Sequence, residues 1–383
     1  MSKLKTAGLA CTMVAVLGLA GAVTAIAPPV SAQQQPGAEA RLKQKINAGT
    51  VAILGGSSQE ASLRMAHDIA RAMGNGDDLR ILPVSGNGGA QAVRDILYLE
   101  DRDIGFVTLD TLDALKNDRR YNKIKNRLAY IAKLHNEEFH LISDGKIASI
   151  GDLKGKAVAF HGAGSEASGR LLLSKLGIEP AKAIKMPMDE AALRMKSGEV
   201  HAVLCLTGKP LDDVDRLLKL NPALRLASIE YTEPLMESYL PATLTAQDYP
   251  GLVAPGQSVE TVAVGAILAV NNLAPGTDRY RRLERFAIAF FSNFHKLAAH
   301  KDRHPKWREV NLAARLPGWK RFKPAADRLA AIQKAAAARK ELMAQFAKFL
   351  EMYQKKQSEG ALPPEQRDEL FNQFVDWQKR LAQ

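Results

Sequence analysis

The chain has 383 residues, 46% of them hydrophobic and 25% charged, with a formal net charge of +12 and two cysteines. It is too long for one ordinary core and too apolar for a disordered chain, so two lobes and an appendage are expected. Basic residues are spread out, without a stripe or an aromatic-basic motif, which excludes nucleic acid as the expected partner and leaves a mild bias toward anionic ligands or acidic membrane partners.

Lys3 and Lys5 precede an apolar stretch from Ala7 to Ala27, and Pro28, Pro29 and Val30-Ser31-Ala32 follow before a run of glutamines. This order is that of a secretory leader over residues 1–32, cleaved after Ala32, and it predicts a periplasmic mature chain. An uncleaved anchor is the competing reading, because about twenty apolar residues span a bilayer. The dominance of Gly and Ala over Leu, and the small residues at its end, favour cleavage. Cys11 falls too early for lipid attachment, and Gly8 stands where an aliphatic residue is needed. Without the leader only Cys205 remains, so no internal disulfide is expected, and its apolar neighbours make it a small buried hydrophobe.

From residue 50 onward, short β-rich runs alternate with amphipathic segments of helical length, the pattern of α/β architecture with largely parallel sheets. Strands are predicted at Val51–Leu54, Leu79–Val84, Ile104–Thr108, Ala157–Phe160 and Val200–Leu206. Ligands of such sheets bind outside the carboxyl ends of the strands. The first strand runs into Gly55-Gly56-Ser57-Ser58 and a helix from Glu60 to Met73. The second runs into Ser85-Gly86-Asn87-Gly88-Gly89 and a helix from Ala90 to Leu99. The strand at Ala157 runs into His161-Gly162-Ala163-Gly164-Ser165 and a helix from Glu166 to Leu176.

Each loop repeats one device: glycine lets the backbone approach, serine supplies a hydroxyl, and the helix start offers unpaired N–H groups at the positive end of its dipole. One such loop is an ordinary helix start; three in succession predict an anion cradle. Gly56, Ser57, Ser58, Ser85, Asn87, Gly88, Thr108, Gly164, Ser165 and Thr207 are therefore candidate ligand-binding positions, with capping or turn formation as their structural alternative. Gly162-Ala163-Gly164 with Ala167 is also a degenerate dinucleotide fingerprint, but no acid for a ribose follows a strand at the right distance. Lys209 and Arg170 are the basic candidates for pairing a carboxylate, Arg170 with a solvated surface role as its alternative.

Val158–Gly177, Ala191–Ala202, Tyr239-Leu240-Pro241-Ala242, Tyr249-Pro250-Gly251 and Thr261–Leu268, followed by a helix with Phe290, Phe291 and Leu297, resemble the TAXI family of TRAP transporter solute-binding proteins over residues 49 to 315. The resemblance implies a type II periplasmic-binding-protein fold: two lobes with a central cleft, closing on a dicarboxylate or amino acid that is passed to a TRAP membrane permease. The chain would cross between lobes near Leu128–Ile142 and return near Val259–Val270. Lobe 1 is then residues 49–135 and 260–320, and lobe 2 residues 136–259. The same resemblance makes Asp110 a site-edge acid, with a helix N-cap as its alternative, and Tyr239 an aromatic cleft wall. The sequence departs from the family pattern at Gln59-Glu60-Ala61-Ser62, where Glu60 puts a carboxylate near the site, and at Thr108-Leu109-Asp110.

No zinc-binding His-Glu-x-x-His, nucleophile elbow, Walker loop or cysteine pair is present, and the eight histidines lack metal-ligand spacing, so neither catalysis nor a cofactor or metal is expected. Beyond Pro324, apolar residues at helical spacing (Leu329, Ile332, Ala336, Met343, Phe346, Leu350 and Tyr353, interrupted at Arg339) and a break at Ser358–Pro364 predict a helical hairpin over 324–383. It either packs on its own chain or forms a dimer or partner contact. The alternative function is a degenerate receptor that acts as a periplasmic interaction or sensory module through these helices.

Overall fold

The computed structural model describes residues 37–57, 60–76, 78–212, 214–357 and 364–381; the expected leader and Ser58 lie outside them. Lys43–Gln383 forms one compact unit. In chain order its elements begin with α1 (Ala38–Gly49), which leads into the unit, and continue with β1 (Thr50–Leu54), α2 (Ala61–Met73), β2 (Arg80–Val84), α3 (Gly89–Tyr98) and β3 (Ile104–Thr108). Next come α4 (Leu109–Lys116), α5 (Ile124–Arg127), β4 (Leu128–Ser143), β5 (Ala157–Phe160), α6 (Ala163–Lys175), β6 (Lys182–Lys185) and α7 (Met188–Ser197). Then follow β7 (Ala202–Thr207), α8 (Val214–Leu220), β8 (Arg225–Ala227), β9 (Leu240–Thr245) and β10 (Ser258–Asn271). Helices α9 (Asp278–Asn293), α10 (His295–Ala298), α11 (Lys323–Gln357) and α12 (Pro364–Leu381) end the chain.

The strands form one sheet in the order β2-β1-β3-β10-β4-β7-β5-β6, with β8 paired to β4 and β9 to β10. Pairing is parallel at β2-β1-β3 and at β7-β5-β6, and antiparallel wherever β4 or β10 takes part. These two long strands each serve both halves. Val270 to Ala266 of β10 pairs with β3, while Ser258 to Ala263 pairs with β9. Strand β4 pairs with β10 from its start and with β7 through Glu138–Ser143. The result is the expected α/β architecture, but with a mixed sheet rather than a largely parallel one, because the two long strands run antiparallel to every neighbour; they match the crossings implied at Leu128–Ile142 and Val259–Val270 within a residue.

Helices cover both faces of each half-sheet, so the strands are apolar on both sides and alternate between two cores. In the first lobe Val51, Ile53, Met65, Phe290 and Trp307 pack together, and Val93, Ile96, Leu112 and Ile267 fill the opposite face. In the second, Val158, Phe160, Leu204 and Leu206 point one way and Ala159, Val203 and Cys205 the other. Cys205 is buried and burial pushes its thiol far up, as a small core hydrophobe requires.

Helix α6 packs closely over this sheet because Gly169 faces Phe160. A methyl at Gly169 would stand 2.5 Å from a ring carbon of Phe160 and 3.0 Å from Leu204. Gly169→Ala is expected to cost about 1–3 kcal/mol, seen as a lower urea midpoint; an unchanged midpoint would mean that the ring moves aside freely.

The C-terminal region is helical as predicted. Helix α11 runs unbroken through Arg339, its first turns packing Ala325, Leu329 and Ile332 onto the first lobe's core. Further along, Phe346 meets Phe371 and Phe374 of α12 at 5.0 and 5.4 Å between ring centroids. The break at 358–363 lies outside the described residues. Among the described residues no helix is long and apolar enough to cross a membrane.

Candidate functional site

Glycine backbone geometry sets the three helix starts. Gly88 (φ 63°) is the N-cap of α3 and Gly162 (φ 84°) that of α6, both in the left-handed half of backbone space that suits a residue without Cβ. Helix α6 therefore begins at Ala163, three residues before the predicted Glu166, and Gly164 and Ser165 fall in its first turn. At the first loop a methyl on Gly55 would lie 2.6 Å from the Leu63 Cα, so only glycine lets β1 turn this tightly into α2.

The three turns converge. A methyl on Gly88 would stand 3.8 Å from the Gly164 Cα, and one on Gly164 would stand 3.5 Å from the carbonyl oxygen of Asn87. Across the same gap the Ala61 amide of α2 donates to Thr207 Oγ1 of β7 at 3.2 Å. Elements distant in sequence thus meet backbone to backbone, which is what an anion cradle needs.

The cradle is filled by the chain itself. Glu60, at the N-cap of α2, turns its carboxylate into the gap, where Oε1 accepts a hydrogen bond from Ser57 Oγ at 3.0 Å. Methyls built on Gly162 and Gly56 would stand only 2.4 Å and 1.7 Å from its oxygens, and those on Gly88 and Gly164 3.9 and 4.0 Å. One side chain touches the first and third turns and lies toward the second. Beside it remains a cavity of about 30 Å³, lined by Glu60, Ser62, Gly88, Gly89, Phe106, Val107, Thr108, Glu137, Gly164, Ser165, Ser168 and Leu206. That volume holds a water-sized group.

The cavity is acidic. Glu137, on β4, has its carboxyl pushed up to about 8 by burial first, then by the charges of Glu60, Asp110 and Glu138, with Lys306 opposing. Burial also raises Glu60, against the Ser57 hydrogen bonds, and Asp110, against the Thr108 and Ser168 hydroxyls and the Thr111 amide. Neighbouring His135 is fully buried, and desolvation, followed by the Lys306 and His304 charges, holds it well below its usual range, so it is neutral. Lys306 is engaged elsewhere, donating to Glu138 and, at 2.9 Å, to Glu309.

Of the residues predicted from sequence, Gly88, Thr108, Gly164 and Ser165 line the cavity, and Gly56, Ser57 and Thr207 border it through Glu60 and Ala61. Ser165 Oγ also accepts from the Leu206 amide at 3.0 Å, which fixes β7 against α6. Ser85 and Asn87 are exposed, their side chains bonded to the Gly56 carbonyl and to Gln91. Lys209 donates to the Thr243 carbonyl at 2.9 Å and to Asp248 at 3.0 Å, away from the cradle. Arg170 lies on the surface between Glu166 and the Ala183 carbonyl, stacked over Phe160.

Asp110 is not the N-cap of its helix. The extended backbone of Thr108 (φ −86°, ψ 155°) starts α4 at Leu109, so Asp110 sits in the first turn, where Oδ1 accepts from the Thr111 amide at 2.7 Å. Tyr239 is buried edge-on to Phe139, with burial and the nearby Asp110 carboxylate raising its phenol. Sequence reasoning passed over Ser62, Gly89, Glu137 and Ser168. For Glu137 a signal existed: Glu137-Glu138 put two adjacent acids in a crossing strand that also carries Lys133, His135, Asn136 and His140, and register shifts between its partners Gly265 and Ile267 and between Leu268 and Ala269 change where its side chains point.

Residues 62–317, about two thirds of the chain, match the profile of the NMT1-like family. The chain belongs to the NMT1-like family. No curated protein matches the sequence. Among solved structures, this NMT1-like chain is similar to a periplasmic transporter protein, at 11% identity over 65% of this chain and 86% of that one, with a TM-score of 0.41. It is also similar to the binding protein of an ABC phosphonate transporter from Pseudomonas aeruginosa (12% identity, 87% and 98% covered, TM-score 0.39). A third is an amino acid ABC transporter substrate-binding protein from Streptococcus pneumoniae bound to L-arginine (12% identity, 65% and 92% covered, TM-score 0.36).

Proposed function

We propose that this NMT1-like protein is a periplasmic solute receptor that closes two lobes on a small metabolite and delivers it to a TRAP-type membrane permease. The observation that carries the reading is the meeting of three glycine-rich helix starts, from both sides of the crossing strands, around one buried cavity. In this reading residues 49–135 with 260–320 move against residues 136–259, and solute bound between them favours the closed state by its differential affinity. On the same reading Gly56, Ser57, Gly88, Thr108, Gly164, Ser165 and Thr207 border the solute beside Glu60, and Ser85, Asn87, Asp110, Lys209 and Tyr239 frame it from farther out; Ser58 lies outside the described residues. The amides of these turns suit an anionic group, but the carboxylate of Glu60 already occupies that place, so the charge of the solute is set by the cavity beside it.

That occupation favours a second reading, a degenerate receptor whose helices α11 and α12 dock a partner or a second copy. A thermal-shift and calorimetric screen of dicarboxylates, amino acids and primary amines separates the two. A receptor gains about 2.7 kcal/mol at a solute concentration of 100 Kd, a shift of several degrees; a degenerate one shifts with none of them. The hairpin is tested by truncation after Ala338 rather than at residue 324, because Ala325, Leu329 and Ile332 belong to the first lobe's core.

A further inference from the structure

We propose that the group this receptor recognises in its cavity is a primary ammonium, held by Glu137 and Glu60, so that its solute is a primary amine rather than a dicarboxylate. The inference rests on the receptor reading and narrows it to a ligand class.

The cavity is built for a small donor. Its polar side chains are the carboxyl groups of Glu60 and Glu137 and the hydroxyls of Ser62, Thr108, Ser165 and Ser168; no basic side chain lines it. Glu137 is only 8% exposed, yet its carboxyl accepts no hydrogen bond from any described residue. The nearest basic atom, His135 Nε2, stands 3.8 Å away on a neutral imidazole. A buried carboxyl in this position either keeps its proton, as Glu137 does up to about pH 8, or releases it to pair with a cation that arrives from outside. The neighbouring amide cradle is already taken by Glu60, whose Oε1 is turned to Ser57 and whose Oε2 lies toward Gly56, Gly88 and Gly164.

Size and hydrogen-bond capacity select among cations. About 30 Å³ admits a water-sized head group and excludes a planar guanidinium. An ammonium has three N–H donors and no acceptor, and the two carboxyl groups and the Thr108 and Ser168 hydroxyls supply acceptors in several directions. A quaternary ammonium has no N–H to give. Among the described residues no group of three or more His, Cys, Asp or Glu is arranged to hold a metal ion. A carboxylate from the solute would add another acid to this low-dielectric space, where no basic side chain lines the cavity to offset it. Lys306 does not supply one, because Glu138 and Glu309 hold it.

Isothermal titration of the full chain with ethanolamine, putrescine, choline and succinate tests the assignment. Ethanolamine and choline differ only in the methylation of nitrogen, so the pair isolates the N–H donors. The expected result is binding of ethanolamine or putrescine, no binding of choline, and at least tenfold weaker amine binding by Glu137→Gln, a variant whose folding is checked by its circular dichroism and melting. Equal affinity for ethanolamine and choline, or amine affinity unchanged in Glu137→Gln, overturns the assignment. Binding of succinate without either amine also overturns it while leaving the receptor reading in place. If the intact protein binds none of the four, the ammonium assignment fails, and the wider metabolite screen then decides the receptor reading separately.

Discussion

Lys306→Met is expected to destabilise the protein by about 3–5 kcal/mol, because it strands a buried carboxylate. Lys306 is 1% exposed and Glu138 4%. The ammonium donates to Glu138 and Glu309, and Glu138 takes a further hydrogen bond from the Lys209 amide at 3.0 Å. This pair ties the segment after α10 to strand β4 where the chain passes between lobes. Burial already raises the Glu138 carboxyl, and the Lys306 charge is what pulls it back. Without that charge the group must either stay ionised and unpaired or take up a proton, so the loss is smaller at low pH. The double variant Lys306→Met with Glu138→Gln is expected to recover much of the stability, since it removes both charges. Urea unfolding of the wild type, each single variant and the double variant measures the coupling. Additive effects would mean that the pair is not the source of the cost.

Glu137→Gln is expected to do the opposite and stabilise the protein at neutral and alkaline pH. The Glu137 carboxyl has an ordinary value near 4.5 in the unfolded chain and about 8 in the fold. Below about pH 4.5 both states are protonated and the residue makes no difference. As pH rises from there to about 8, the unfolded chain releases the proton and the folded chain keeps it, so stability falls across that window and levels off above it. Glutamine keeps the shape of the protonated acid and removes this drain. The expected gain is absent at pH 4 and reaches on the order of 4–5 kcal/mol at pH 8, from about 1.4 kcal/mol per pH unit over that window. Urea midpoints of both proteins at pH 4, 6 and 8 give the curve. Two parallel curves would show that Glu137 titrates normally. A site that keeps a destabilising acid in its cavity fits one reserved for a ligand, and the gain is the stability that such a group withholds from the unliganded fold.

Much of the architecture was legible because periodicity reports burial on two length scales. Runs such as Val51–Leu54 and Val200–Leu206 are apolar throughout, as strands covered on both faces must be, and β1, β3, β5 and β7 lie there within two residues. The crossing strands were found within a residue at both ends. The start of α6 was not, because Gly164 and Ser165 are poor helix formers by propensity and the left-handed turn at Gly162 allows the helix to begin before them. The site was legible in part. Gly-Ser turns can be read locally, and they do converge. Which side chain enters the gap cannot be read that way: Lys209, the natural partner for a carboxylate, is drawn to Asp248 and the Thr243 carbonyl, while Glu60 turns inward.

The two strands that pass between the halves were placed by the resemblance to a known family; the sequence alone determined that this chain alternates strands and helices and that three helix starts carry the same glycine device. These follow from backbone sterics and side-chain periodicity, which act over a few residues. Tertiary structure alone decided that the three turns face one another, that Glu60 fills the space between them, and that Glu137 sits beside it, without a hydrogen bond from any described residue to its carboxyl and with its proton held to about pH 8. Desolvation and Coulomb energy depend on distances between atoms, and Glu60, Asp110, Glu137 and Lys306 come close only once the sheet has brought them together.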